Sequence, residues 1–182
     1  PNQESDYAHF FGYQIKGGAN YNFTRTSGVF ANIGYFERAP FFEAVFLQFG
    51  NNVNPDAENQ KIFSTELGYT FRNSVLRANV NIYRTNWRDR TEVYTYNNPD
   101  GSLGSANILG INAVHQGLEL DFEYRPFEEL SITGFASLGD YTWENDVRGV
   151  QIFDEEQNLV DEINLFKVSY NFIIINIIII IC

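Results

Sequence analysis

Glu119, Asp121 and Glu123 recur at every second position, a spacing that sets three carboxylates on one face of a β-strand. Paired carboxylates can do general acid–base work. A solvated row along a polar sheet face explains the same spacing, and it is the preferred reading. The run Asp154-Glu155-Glu156, with Asp161-Glu162 close behind, has the oxygen-rich character of a divalent-cation loop. Here too a solvated acidic loop is preferred. Gly134-Phe135-Ala136-Ser137-Leu138-Gly139 misses the Gly-x-Ser-x-Gly spacing of a nucleophile elbow and lies within a strand pattern. A Gly-rich phosphate loop is absent. His9 and His115 are far apart in sequence, and the single cysteine, Cys182, excludes a disulfide framework or multi-thiolate metal site. No catalytic residue, metal site or cofactor is therefore expected. Ligand contact is better sought among aromatics in long connections: Phe41, Phe42, Phe46 and Phe49 in one, Tyr94 and Tyr96 in another. Phe41, Phe42, Tyr94 and Tyr96 are the candidate ligand-binding residues, with mutual packing of the loops as the competing role.

The elements that would position these residues are strands. The chain has 182 residues, a net charge of −11 and only 19% charged residues, against 17 Phe, 11 Tyr and 2 Trp. Its acidity argues against nucleic acid as a partner, since phosphate binding needs clustered Lys and Arg. Mean hydropathy is only slightly negative, as in many soluble proteins, so the aromatic excess needs a cause.

Alternation supplies it. Phe11, Tyr13, Ile15, Gly17, Ala19, Tyr21 and Phe23 interleave with Gly12, Gln14, Lys16, Gly18, Asn20 and Asn22. Successive strand side chains point to opposite faces, so one face is apolar and the other polar. Phe63–Phe71, Leu76–Tyr83, Leu118–Tyr124 and Phe166–Phe172 repeat the pattern, with Phe166, Val168, Tyr170 and Phe172 read on the apolar side. Residues 29–36 and 130–143 fit less cleanly, because Phe30 and Phe135 fall on the polar phase. About seven strands result, without a convincing helix.

Short turns at 25–28, 72–74 and 125–129 alternate strictly with long links at about 38–60, 90–110 and 145–162. Short turns then gather at one end of an antiparallel sheet and long loops at the other. Strands of about ten residues, apolar outward and polar inward, with that loop asymmetry, match outer-membrane barrels. Tyr21, Phe23, Tyr69, Phe71 and Tyr124 sit near short turns on the apolar phase, as an interfacial aromatic girdle would; Phe11, Tyr13 and Tyr35 suit the opposite girdle. Lys16, Glu66, Arg77, Glu119, Asp121, Glu123 and Lys167 fall on the inward phase, which must be wet or plugged. Trp87 shares that phase and belongs to neither girdle.

Three segments carry a family resemblance. Gly34-Tyr35-Phe36-Glu37-Arg38-Ala39-Pro40-Phe41-Phe42-Glu43 resembles the F-R-A-P strand end of TonB-dependent outer-membrane receptors. Asn54-Pro55-Asp56-Ala57-Glu58 followed by Thr65-Glu66-Leu67-Gly68-Tyr69 is similar to that family's N-P-x-L-x-P-E … E-x-G segment, with Ala57 and Glu58 departing from it. Gly117-Leu118-Glu119-Leu120-Asp121-Phe122-Glu123-Tyr124-Arg125-Pro126 is similar to its G-x-E-x-x-x-x-Y-x-P strand and turn. Their order agrees with the second half of such a barrel.

The resemblance implies a receptor in the bacterial outer membrane, in contact with its lipid, that takes up a scarce ligand such as an iron–siderophore, cobalamin or a glycan. It implies a plug domain inside the barrel and an N-terminal box that engages the TonB energy-coupling protein. Because such barrels have about 22 strands, residues 1–172 are expected to form a partial, all-β antiparallel meander of a larger transmembrane barrel, with plug and TonB box lying outside the chain. The isoleucine run in 173–182 lacks polar alternation and is expected to be a frameshift or assembly artefact. Two other readings stand beside this one: a different outer-membrane barrel, such as a porin or barrel enzyme, and a soluble β module binding carbohydrate or protein.

Overall fold

The computed structural model describes residues 4–47, 50–97, 101, 103–154 and 158–181. Within them lie β1 (Tyr13–Asn22), β2 (Ser27–Arg38), a single helical turn α1 (Phe42–Val45), β3 (Gln60–Arg72), β4 (Leu76–Asn97), β5 (Leu103–Phe127), β6 (Leu130–Trp143), β7 (Val147–Phe153), β8 (Leu159–Leu165) and β9 (Ser169–Ile181). All pair antiparallel in one sheet of order β1-β2-β3-β4-β5-β6-β9, while β7 pairs with β5 and β8. The seven expected strands form the main path. The structure adds what periodicity did not reveal. The link at 90–110 is largely the far end of the β4–β5 hairpin, the link at 145–162 holds the β7–β8 hairpin, and the first link holds α1.

Local chemistry sets the tight ends. Thr24 Oγ1 accepts from the backbone N–H groups of Thr26 (3.1 Å) and Ser27 (2.9 Å). Asn73 Oδ1 likewise accepts from Val75 (2.8 Å) and Leu76 (2.7 Å). Short polar side chains thereby satisfy backbone donors that a chain reversal leaves unpaired.

Register aligns the two faces. Ala19, Ala31, Leu67, Ile82, Leu118, Leu138 and Ile173 form one outward row, and Tyr21, Val29, Tyr69, Val80, Leu120, Ala136 and Ile175 the next. Leu67 and Ile82 are each 53% exposed, so no layer of the described residues covers this face. Inward rows are polar and laterally bonded: Asn32 Nδ2 donates to Glu66 (2.9 Å), Asn79 Nδ2 to Asp121 (2.8 Å) and Asn81 Nδ2 to Glu119 (3.3 Å). Arg77 pairs with Glu123 at 3.5 Å. Phe30 sits on this polar phase because Gly68, its partner on β3, leaves room: any side chain there would collide with the Phe30 ring.

The outward apolar band is cut obliquely. One row beyond Ile82, Leu118 and Leu138 the outward positions become Arg84, Gln116 and Asp140, with Arg84 donating to Gln116 and Gln116 Nε2 to Asp140 at 3.0 Å. On the other side the band climbs further, through Ile33 to Ile15, Tyr35 and Phe63, ending in the Phe11–Tyr13 and Tyr13–Tyr35 ring contacts at 6.1 and 5.8 Å. Its upper limit thus falls about one residue per strand, which at about 3.3 Å rise and about 4.8 Å strand spacing corresponds to a tilt of about 35°. A level plane crosses the strands of a closed barrel at a similar tilt.

Two placements differ from expectation. Tyr170 pairs with Tyr141 and Phe172 with Gly139, so both share the inward face with His115 and Glu119, and Asn171 joins the outward row of Asp140. The inversion follows from pairing with β6, whose register overrides the local apolar pattern. Lys167 lies between β8 and β9, outside any strand, and its backbone N–H donates to Asp146 at 2.9 Å. Among the described residues, every buried hydrophobic lies on the loop side of the Leu118 row. Ala106, Ile108, Ile111, Ala113, Val147 and Val150 form a core there against Trp87 and Trp143.

Candidate functional site at the loop end

The loop end is where side chains converge. Arg38 closes β2, and its Nε and Nη2 both donate to Gln60 Oε1 (3.2 and 3.0 Å) at the start of β3. Gln60 is fully buried and passes the connection on, donating from Nε2 to Thr91 Oγ1 at 2.8 Å. The same guanidinium lies 4.9 Å from the centre of the Phe41 ring. Asn54, also buried, donates from Nδ2 to the Ala44 carbonyl (3.0 Å) and from its backbone to Val45 (2.7 Å), while its Oδ1 accepts from Asp56 (3.0 Å). The first long link is therefore a polar-bonded cap tied to β3 and β4, with buried Asn54 and Gln60 meeting partners as burial requires.

Two cavities open between this cap and the neighbouring hairpins. One, of about 380 Å³, is lined by Phe41 and Glu43 from the first link and by Glu92, Val93, Thr95 and Asn107 from β4 and β5. The other, of about 390 Å³, lies among Asn54, Pro55, Asp56, Asn107, Arg148 and Gly149. Asn107 lines both. It is 7% exposed, and neither its Oδ1 nor its Nδ2 has a hydrogen-bond partner among the described residues. An amide left unpaired in such burial is costly unless something else meets it.

The four candidate contacts are not all gathered at one place. Phe41 lines the first cavity, half exposed at its mouth. Phe42 is exposed and its ring lies tilted against that of Phe46, centres 5.0 Å apart. Tyr94 lies between the lining residues Val93 and Thr95, so strand alternation turns it to the other face, where it is half exposed. Tyr96 is in β4 paired with Gly104, but its side chain lies outside the described residues, as does the whole of Phe49. Sequence reading missed Gln60, Thr91 and Asn107, which are ordinary polar residues at strand positions with no motif to mark them.

A second cluster lies on the inward face below the cap. His115 stacks flat on Tyr141 at 3.9 Å, Trp87 stands 5.9 Å from His115, and Tyr170 and Phe172 meet Tyr141 edge-on at 5.6 and 5.0 Å. Its rings come from β4, β5, β6 and β9, so linear sequence separates them. The odd phase of Trp87 was its single trace. Of the acidic groups, Glu119, Asp121 and Glu123 serve as the lateral rungs already described. Asp154 Oδ1 accepts from the Asn158 backbone at 2.8 Å; Glu155 and Glu156 lie outside the described residues. Among the described residues no group of three or more His, Cys, Asp or Glu is arranged to hold a metal ion. No helix among the described residues is long and apolar enough to cross a membrane.

Comparison with curated proteins and with solved structures found no match. Residues 4–171, by contrast, match the family described as TonB dependent receptor-like, beta-barrel. That span takes in the strand path from β1 into β9, the polar inward rows and the loop-end cap, and the open antiparallel sheet is what part of such a barrel presents. The chain belongs to the TonB-dependent receptor β-barrel family.

Proposed function

We propose that this chain is the wall and part of the outer cap of a receptor in the bacterial outer membrane, which takes up a scarce ligand by TonB-coupled active transport. The ligand is of a class such as an iron–siderophore, cobalamin or a glycan. The observation that carries this reading is the family match over residues 4–171, and the oblique outward apolar band supports it. The β1–β6 faces contact lipid on one side and the plug of the receptor on the other. The short turns face the periplasm, and the cap with Phe41, Phe42, Tyr94 and Tyr96 faces the medium to meet ligand. The TonB protein is engaged by the N-terminal box that such receptors carry. No catalytic role is assigned.

On this reading residues 1–172 are part of a barrel and the run 173–182 is foreign to it. Ile174 and Ile178 occupy inward positions beside Ser137 and Thr133, where polar residues belong. Peptide mapping of the native protein checks this: recovery of the isoleucine peptide would refute it.

Energy dependence is the direct test of transport. Uptake by cells carrying the receptor should cease when TonB is deleted or the proton-motive force is dissipated. Uptake that persists and rises linearly with ligand concentration would identify a passive porin instead.

A further inference from the structure

We infer that Asn107 is the recognition residue of a subsite for a neutral oligosaccharide, which refines the uptake reading and rests on it. Asn107 is more than nine-tenths buried, yet both its donor and its acceptor lack partners among the described residues, and the residue lines the two cap cavities. A carboxamide placed this way demands a ligand that accepts and donates across adjacent atoms, and vicinal sugar hydroxyls do both. The other lining groups agree. Phe41 offers a half-exposed ring, backed by Arg38, whose electron-rich face suits the C–H side of a sugar. Glu43 and Glu92 supply carboxylates to accept hydroxyl protons, with Glu92 held in place by Arg90. Among the described residues no Lys or Arg lines this cavity, and with Glu92 already paired to Arg90 an anionic ferric chelate would meet the Glu43 carboxylate without a facing cation. At about 380 Å³ it lies near the small end of ligand pockets and suits a short sugar segment rather than a macrocycle.

The test is calorimetric titration of the purified receptor in detergent. The probes are maltoheptaose, xylohexaose, cellohexaose and chitohexaose, set against ferric citrate, a ferric catecholate complex and cyanocobalamin. At least one oligosaccharide should bind, with affinity lowered about tenfold or more by Asn107→Leu and severalfold by Phe41→Ala. Arg25→Gln, in a turn at the opposite end, should leave binding unchanged. Asn107→Leu removes both unpaired atoms, so the unliganded protein should melt at a higher temperature, which separates lost recognition from lost folding. Oligosaccharide binding unaltered by Asn107→Leu would overturn the inference, as would an absence of binding across the four sugars. Energised uptake of a ferric chelate or of cyanocobalamin, without sugar binding, overturns the inference and leaves the uptake reading standing. Passive, TonB-independent flux overturns the uptake reading itself.

Discussion

Leu67 and Ile111 are both aliphatic residues in long strands of one sheet, yet Leu67 is 53% exposed and Ile111 is fully buried. The contrast divides the molecule into a wall and a cap. In the wall, from the short turns to the Leu118 row, apolar side chains face outward with none of the described residues over them. In the cap, the far ends of β4 and β5 carry the β7–β8 hairpin and the first link, and hydrophobic residues turn toward one another. The cap builds a core that water can drive. The wall leaves a contiguous apolar face exposed, which on the proposed reading meets lipid. On that reading one antiparallel sheet answers to two solvents.

The sharpest way to break this division is to place the same kind of damage on each side. Ile111→Ala should cost the cap about 2–5 kcal/mol through lost burial and a residual cavity. Proteolysis of the β7–β8 hairpin reads this out, and cleavage should quicken while heat-resistant barrel migration on gels is retained. Leu67→Arg should do the reverse. A cation on the lipid face costs about 2–4 kcal/mol near the membrane centre, lowering folded yield in bilayers, whereas rates of cap proteolysis should be unchanged. If Leu67→Arg proved neutral in bilayers, the outward band would not face lipid.

Two smaller effects sharpen the boundary between the regions. Gln60→Leu leaves the buried Thr91 hydroxyl without its donor and frees the exposed Arg38 guanidinium, at a cost of about 1–3 kcal/mol. It should loosen the cap before the wall, which hydrogen exchange at residues 42–56 would show. Asn81→Ala removes one inward rung to Glu119 and should cost about 0.5–1.5 kcal/mol or less, because that face is wet. A cost near that of Ile111→Ala would mean that the inward face is dry.

Most of the wall is legible in the linear sequence. Period-two alternation in residues 11–23, 63–71 and 76–83 encodes which face is apolar, and the alternation of short and long links encodes which end carries loops. The cap is not legible in that way. Ile111 and Val150 become neighbours only when a hairpin folds back, and α1 is a single turn with no periodicity to detect. Gln60, Thr91 and Asn107 matter through partners, or the lack of them, tens of residues away. The inverted face of Tyr170 and Phe172 has the same origin: β6 decides the register of β9, and a local pattern carries no record of its neighbour. Of the ligand candidates Phe41 lines the first cap cavity while Phe42 and Tyr94 do not, since aromatic type in a long link marks a surface position without specifying direction.

The central claim is that β5 crosses the membrane with Leu118, Leu120 and Phe122 in lipid and Glu119, Asp121 and Glu123 in the inward polar space. Spin labels placed singly at positions 117–123 of the receptor in bilayers, with Cys182 replaced by serine, test it most directly. Power-saturation spectroscopy should show a period of two, with even positions accessible to oxygen and shielded from a water-soluble nickel chelate. Odd positions should give the weaker oxygen response. Uniform access of the nickel chelate along 117–123, or alternation of the opposite phase, would contradict the claim.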